Sequence, residues 1–129
     1  MKILEEFISY LDKNGLKYIS YKESETLSFS LNNLNYLFQW QERDPNYFRF
    51  ALPNIENAPI GNDRLAIINE LIASFKVAKA ITIEGGNLWL VAETFVYSSE
   101  NIESLFARMI FLLGQIIEEY RNKVRGGVR

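Results

Sequence analysis

One ten-residue run, Asp44-Pro45-Asn46-Tyr47-Phe48-Arg49-Phe50-Ala51-Leu52-Pro53, limits what this chain can fold into more than any other stretch. Proline fixes φ and asparagine tolerates unusual dihedrals, so Asp44-Pro45-Asn46 predicts a tight turn. The residues after it alternate. Phe48, Phe50 and Leu52 point one way while Tyr47, Arg49 and Ala51 point the other, the period of a strand, and Pro53 stops it. The run speaks to architecture and is silent about activity.

The segments around it continue the pattern. Ile3, Leu4, Phe7, Ile8 and Leu11 recur at helical spacing, and Asn14-Gly15 is a C-cap signal, so a first helix is predicted over about residues 2–13. Strands follow at Lys17–Tyr21, Thr26–Leu31 and Asn35–Gln41, separated by Lys22-Glu23-Ser24-Glu25 and Asn32-Asn33. Residues 53–62 form an irregular connector. A second helix is predicted from Asn62-Asp63 with Leu65, Ile68, Leu71, Ile72 and Phe75 on its stripe. Ala80–Glu84 and Leu88–Tyr97 make a hairpin around Gly85-Gly86-Asn87, and Ser98-Ser99 caps a third helix reaching about residue 123. The order α-ββββ-α-ββ-α describes an α+β fold with helices laid on an antiparallel sheet. Residues 1–124 form a single domain in this reading, and 125–129 a frayed tail.

Composition removes several classes of function. At 129 residues the chain is one domain, and its 48% apolar and 14% aromatic content exclude disorder. A net charge of −2 argues against nucleic acid or anionic membrane as a partner. There is no cysteine for disulfides or thiol chemistry, and no histidine for proton shuttling or metal ligation. The apolar stretch from Ile3 to Leu11 is broken by Glu5, Glu6 and Ser9, so neither a signal peptide nor a membrane span is expected, and cytoplasmic residence is.

The run at Asp44–Pro53 resembles a motif of bacterial domains with the type III secretion chaperone-like fold, in the YbjN-like group of candidate sensory transduction regulators. Two further stretches are similar: Ala66-Ile67-Ile68-Asn69-Glu70 passing to Lys76-Val77-Ala78-Lys79-Ala80, and Gly86-Asn87-Leu88-Trp89-Leu90-Val91-Ala92-Glu93. The resemblance implies that fold, a tendency to homodimerise and, in the secretion chaperones, a groove for a polypeptide. It implies no catalytic residue. The chain departs from the chaperones in one respect, with four strands before its second helix where they have three.

Catalytic chemistry is hard to assemble from these residues, and no cofactor or metal site is expected. The three aspartates, Asp12, Asp44 and Asp63, all sit beside predicted turns or helix ends, where capping accounts for them. Glu93 lies among Trp89, Val91, Phe95 and Tyr97 on one strand face. A carboxyl there could be raised in pKa and act as a general acid, or it could pair with Arg49 or another cation. Pairing is preferred, because a single carboxylate without a base makes no mechanism. Tyr36, Phe38 and Trp40 could stack nucleic-acid bases, but their strand offers glutamines rather than cations, so core packing is preferred.

Surplus hydrophobicity is the sharper signal. Both faces of Leu88–Tyr97 are apolar, as when both sides are covered or one meets a partner. On the third helix Ile102, Leu105, Phe106, Met109, Ile110, Leu112, Leu113, Ile116, Ile117 and Tyr120 fall within an arc of roughly 160°, while Phe111 lies opposite, among Ser104, Ala107, Gly114 and Gln115. The reading is a non-enzymatic, homodimeric, protein-binding module of chaperone type, with Trp89, Glu93, Phe95, Tyr97 and Phe111 as contact residues. The rival is a small-molecule regulatory domain with a pocket at Tyr36, Trp40 and Tyr47. A hydrolase lacks a nucleophile-base pair.

Overall fold

Ile3, Phe7 and Leu11 come one above another only if the backbone there is helical, and the first element of the computed structural model is α1 (Ile3–Lys13), with all three buried. The structure describes residues 2–53, 55, 78–83 and 87–127. The predicted second helix, most of the connector before it and the Gly85-Gly86 turn lie outside the described residues. α1 ends in a Schellman motif: Leu16 N–H donates to the Leu11 carbonyl at 2.9 Å and Gly15 N–H to Asp12 at 3.2 Å. Gly15 sits at φ +66°, and a Cβ there would meet nothing within 4 Å. The cost of a side chain is therefore purely conformational. Gly15→Ala is expected to destabilise the protein by about 1 kcal/mol, read as a lower urea midpoint at an unchanged m-value.

Among the described residues six strands form one antiparallel sheet in the order β1-β2-β3-β4-β6-β5. They are β1 (Tyr18–Tyr21), β2 (Thr26–Leu31), β3 (Leu34–Gln41), β4 (Asp44–Leu52), β5 (Ala78–Ile83) and β6 (Asn87–Phe95). Asn32 and Asn33, at φ 52° and 64°, form the two-residue left-handed loop that matches the twist of β2 and β3. The long helix α2 (Ile102–Gly127) follows β6. It starts three residues after Ser99: the Ser98 hydroxyl accepts from Glu100 N–H at 3.1 Å, shaping the approach, and the Asn101 carbonyl accepts the Leu105 N–H. Its backbone stays helical to Gly127 where a frayed tail from 125 was expected, because extending a formed helix carries no nucleation cost.

The turn before β4 differs from the expectation. Strand pairing already begins at Asp44, and the reversal is at Glu42-Arg43. The register jumps from Trp40 opposite Phe48 to Gln41 opposite Asp44, leaving Pro45, Asn46 and Tyr47 as a bulge without partners on β3. Proline lacks the N–H that an interior strand would need, so it is tolerated at that bulge. Asn46 holds the sheet corner through its carbonyl, which accepts the Val96 N–H at 2.7 Å.

Alternation and register together build the core. Leu27, Phe38, Phe50, Ala92 and Ala78 lie in one row across five strands, all buried. On this core face α1 and α2 pack side by side. Phe7 of α1 stacks on Phe38 at 4.3 Å between centroids and meets Phe29, Phe50 and Phe106 edge-on at 5.1–5.3 Å. α2 buries Ile102, Phe106, Met109, Ile110, Leu113, Ile116, Ile117 and Tyr120, as its apolar arc predicts. Each ring so enclosed contributes about 1.5–3 kcal/mol.

Candidate functional site

The opposite, far face of the sheet carries the polar and exposed residues. Thr26, Gln39, Arg49 and Glu93 follow one another across β2, β3, β4 and β6. Their side chains connect: Arg49 Nε donates to Gln39 Oε1, and Gln39 Nε2 donates to Thr26 Oγ1 at 3.5 Å. At the β6 end Glu93 receives Lys79 Nζ at 2.5 Å on one oxygen and the Tyr47 hydroxyl at 2.6 Å on the other. The hydrogen bond from Lys79, then that from Tyr47, holds the Glu93 carboxyl below the usual carboxylate range, against a weaker opposing effect of burial. Burial first, then the hydrogen bond and charge of Glu93, push the Tyr47 hydroxyl up to about 12, with Arg49 pulling the other way. Glu93 is thus a charged acceptor facing Arg49 and ion-paired to Lys79. The raised, proton-donating carboxyl considered from sequence is not what the fold makes.

Exposed aromatics mark the end of β6 and the segment after it. Phe95 is 55% and Tyr97 78% exposed, and the Phe95 ring lies 5.5 Å from that of Tyr47. Trp89 is half-buried on the same face. Ala51 and Val91, between them, are fully buried within the chain. The double-sided greasiness of β6 therefore has two sources: its middle is covered in one protomer, and its end is left open. Ile19 and Tyr21 of the edge strand β1 are also exposed on the far face. Sequence reasoning passed over them, although their alternation with Tyr18 and Ser20 is strand-like.

Phe111 does not join this surface. It projects from α2 on the core-face side of the sheet, 66% exposed, at the lip of a groove of about 520 Å³ between α2 and the β2–β3 hairpin. Leu31, Leu34, Tyr36 and Gly114 line that groove. The Tyr36 hydroxyl approaches the Ile110 carbonyl at 3.5 Å, and burial pushes its pKa up to about 12. The pocket expected at Tyr36, Trp40 and Tyr47 is not formed. Tyr36 and Trp40 are buried on the core face, and Tyr47 sits on the far face. Trp40 borders a separate depression with Ile3, Leu4 and Pro45.

Among the described residues no three acidic side chains converge as metal ligands would, and no helix is long and apolar enough to cross a membrane. No family model matches the chain, and no curated protein matches it in sequence. Several solved structures are similar to it, two of them as follows. One is YbjN from E. coli, described as a candidate transcription regulator: 14% identical, with 93% of this chain and 92% of that one covered and a TM-score of 0.65. The other is an uncharacterized protein from Methanothermobacter thermautotrophicus, 11% identical over 93% of this chain and 97% of that one, with a TM-score of 0.55. At these identities the likeness is one of backbone architecture, and the described part of that architecture, a six-stranded antiparallel sheet with α1 and α2 on its core face, fits the YbjN-like fold.

Proposed function

We propose that this chain is a non-enzymatic cytoplasmic module, acting as a homodimer, that binds a polypeptide segment on the far face of its sheet. The carrying observation is the exposure of Phe95 against the Tyr47–Glu93–Lys79 cluster, with exposed Tyr97 two residues further along the chain. Exposed rings next to fixed charges have the make-up of a binding hot spot: aromatic anchors supply affinity, and the rim sets register and orientation. Trp89 extends the apolar surface along the same strand. YbjN's description as a candidate transcription regulator adds a regulatory protein to the clients such a face would suit. The small-molecule alternative loses its support with the separation of Tyr47 from Tyr36 and Trp40.

The test is selection of a displayed peptide library on the purified protein, then binding of the enriched peptides by fluorescence anisotropy. The Phe95→Ser/Tyr97→Ser variant is expected to bind at least about tenfold more weakly, with its circular dichroism unchanged. A library that enriches nothing, or equal binding by the variant, would overturn the assignment.

A further inference from the structure

The outward side of α2 has a pattern of its own. Ser104, Ala107, Phe111, Gly114, Glu118 and Arg121 follow at alternating steps of three and four, the spacing of a two-helix seam. None of them is buried, and Phe111 is the exposed aromatic among them. One turn beyond it the Tyr36 hydroxyl stands 3.0 Å from where a Cβ on Gly114 would sit, so the glycine makes room for this chain's own tyrosine, and the groove walled by Leu31, Leu34 and Tyr36 opens beside it. A knob and a hole thus lie side by side on one surface. On a twofold interface each residue meets the counterpart of its own partner residue, so such a surface is complementary to itself. Phe111 of one copy enters the groove beside Gly114 of the other, and the reverse contact forms by symmetry.

Charge selects the direction. About a midpoint between Phe111 and Gly114, antiparallel helices bring Arg108 within one and two residues of the level of Glu118 and Glu119, and set Arg121 level with Ser104 and one residue from Glu103, which Lys13 already holds at 3.0 Å. A parallel pairing sets each of these charges against itself, which costs affinity. We propose that the outward face of α2 is the contact surface for a second copy of this chain, packed antiparallel about a twofold axis midway between Phe111 and Gly114. This deepens the homodimer part of the reading above and is separable from its client-binding part. The far faces of the two sheets then point outward in opposite directions, and the dimer is bivalent.

Because the chain has no cysteine, introduced thiols report geometry cleanly. The double variant Ala107→Cys/Glu118→Cys is expected to oxidise to a covalent dimer, since the two positions face each other across the twofold, whereas Ala107→Cys alone stays unlinked. By analytical ultracentrifugation Phe111→Ser and Arg108→Glu each weaken the dimer at least about tenfold, and Arg108→Glu/Glu118→Arg regains the loss. Linking of the single Ala107→Cys variant would establish a parallel pairing and overturn the proposal. A dimer indifferent to Phe111→Ser would place the interface elsewhere and overturn this surface while sparing dimerisation. A monomer at about 100 μM, well above the Kd of a specific dimer, would overturn both and leave peptide binding to stand on its own test.

Discussion

Phe7→Ala is expected to cost about 3–5 kcal/mol of folding stability, a large share of what a domain of this size holds. Phe7 is fully buried and touches rings from β2, β3, β4 and α2 at once. Those strands are held to one another by backbone hydrogen bonds, so they cannot close around the space the ring leaves. Removing it deletes a transfer term and opens a cavity where the two helices and the sheet meet. Phe7→Leu keeps most of the volume and is expected to lose less than half as much. Urea unfolding of both variants decides it. A loss for Phe7→Ala no greater than that for Phe7→Leu would mean that the helices slide to fill the site, and that the aromatic cluster is a consequence of packing rather than its centre.

The second large effect comes with alkali. Tyr36 has its hydroxyl under α2, and its pKa rises from 10.0 to about 12. The neutral form is the one the fold prefers. Its contribution is fully present below the unfolded value and is lost as pH rises from about 10 through about 12. A shift of this size corresponds to about 2–3 kcal/mol at the limit. Tyr47 acts in the same direction from a half-exposed position, where solvent screening reduces its share. The urea midpoint is therefore expected to fall steeply between neutral pH and pH 11–12, and Tyr36→Phe to flatten that fall while changing little at neutral pH. An equally steep fall in Tyr36→Phe would show that Tyr36 ionises without unfolding the groove wall.

How much of this was legible depends on which rule a residue obeys. Leu27, Phe29 and Leu31 alternate without ambiguity, and Thr26–Leu31 is the observed β2. Asn14-Gly15 and Asn32-Asn33 are read correctly because left-handed backbone is a local demand that few residues meet. Asp44-Pro45-Asn46 is misread for the complementary reason. Its turn chemistry is strong, but the hydrophobic match of Trp40 to Phe48 fixes the register, and the proline is absorbed as a bulge. The failed pocket follows from the same register. Tyr36 and Trp40 share a parity, Trp40 faces Phe48, and Tyr47 must then point to the other side. Every step was in the sequence except the pairing that joins the strands. Lys79 as the partner of Glu93 was not named from sequence, although the hairpin read at Gly85-Gly86-Asn87 brings their strands together; in the observed register Lys79 lies opposite Val91 and reaches Glu93 diagonally.

The two tryptophans lie on opposite sides of one sheet, Trp40 shut into the core and Trp89 half-open on the far face. That gives the protein a pair of intrinsic optical probes with different surroundings. Acrylamide should quench the emission of Trp89 and hardly touch that of Trp40, so a client arriving on the far face would be visible as protection from quenching before any label is attached. Loss of the blue-shifted Trp40 component would instead report melting of the interior, and the two signals together would tell occupancy from collapse in a single cuvette.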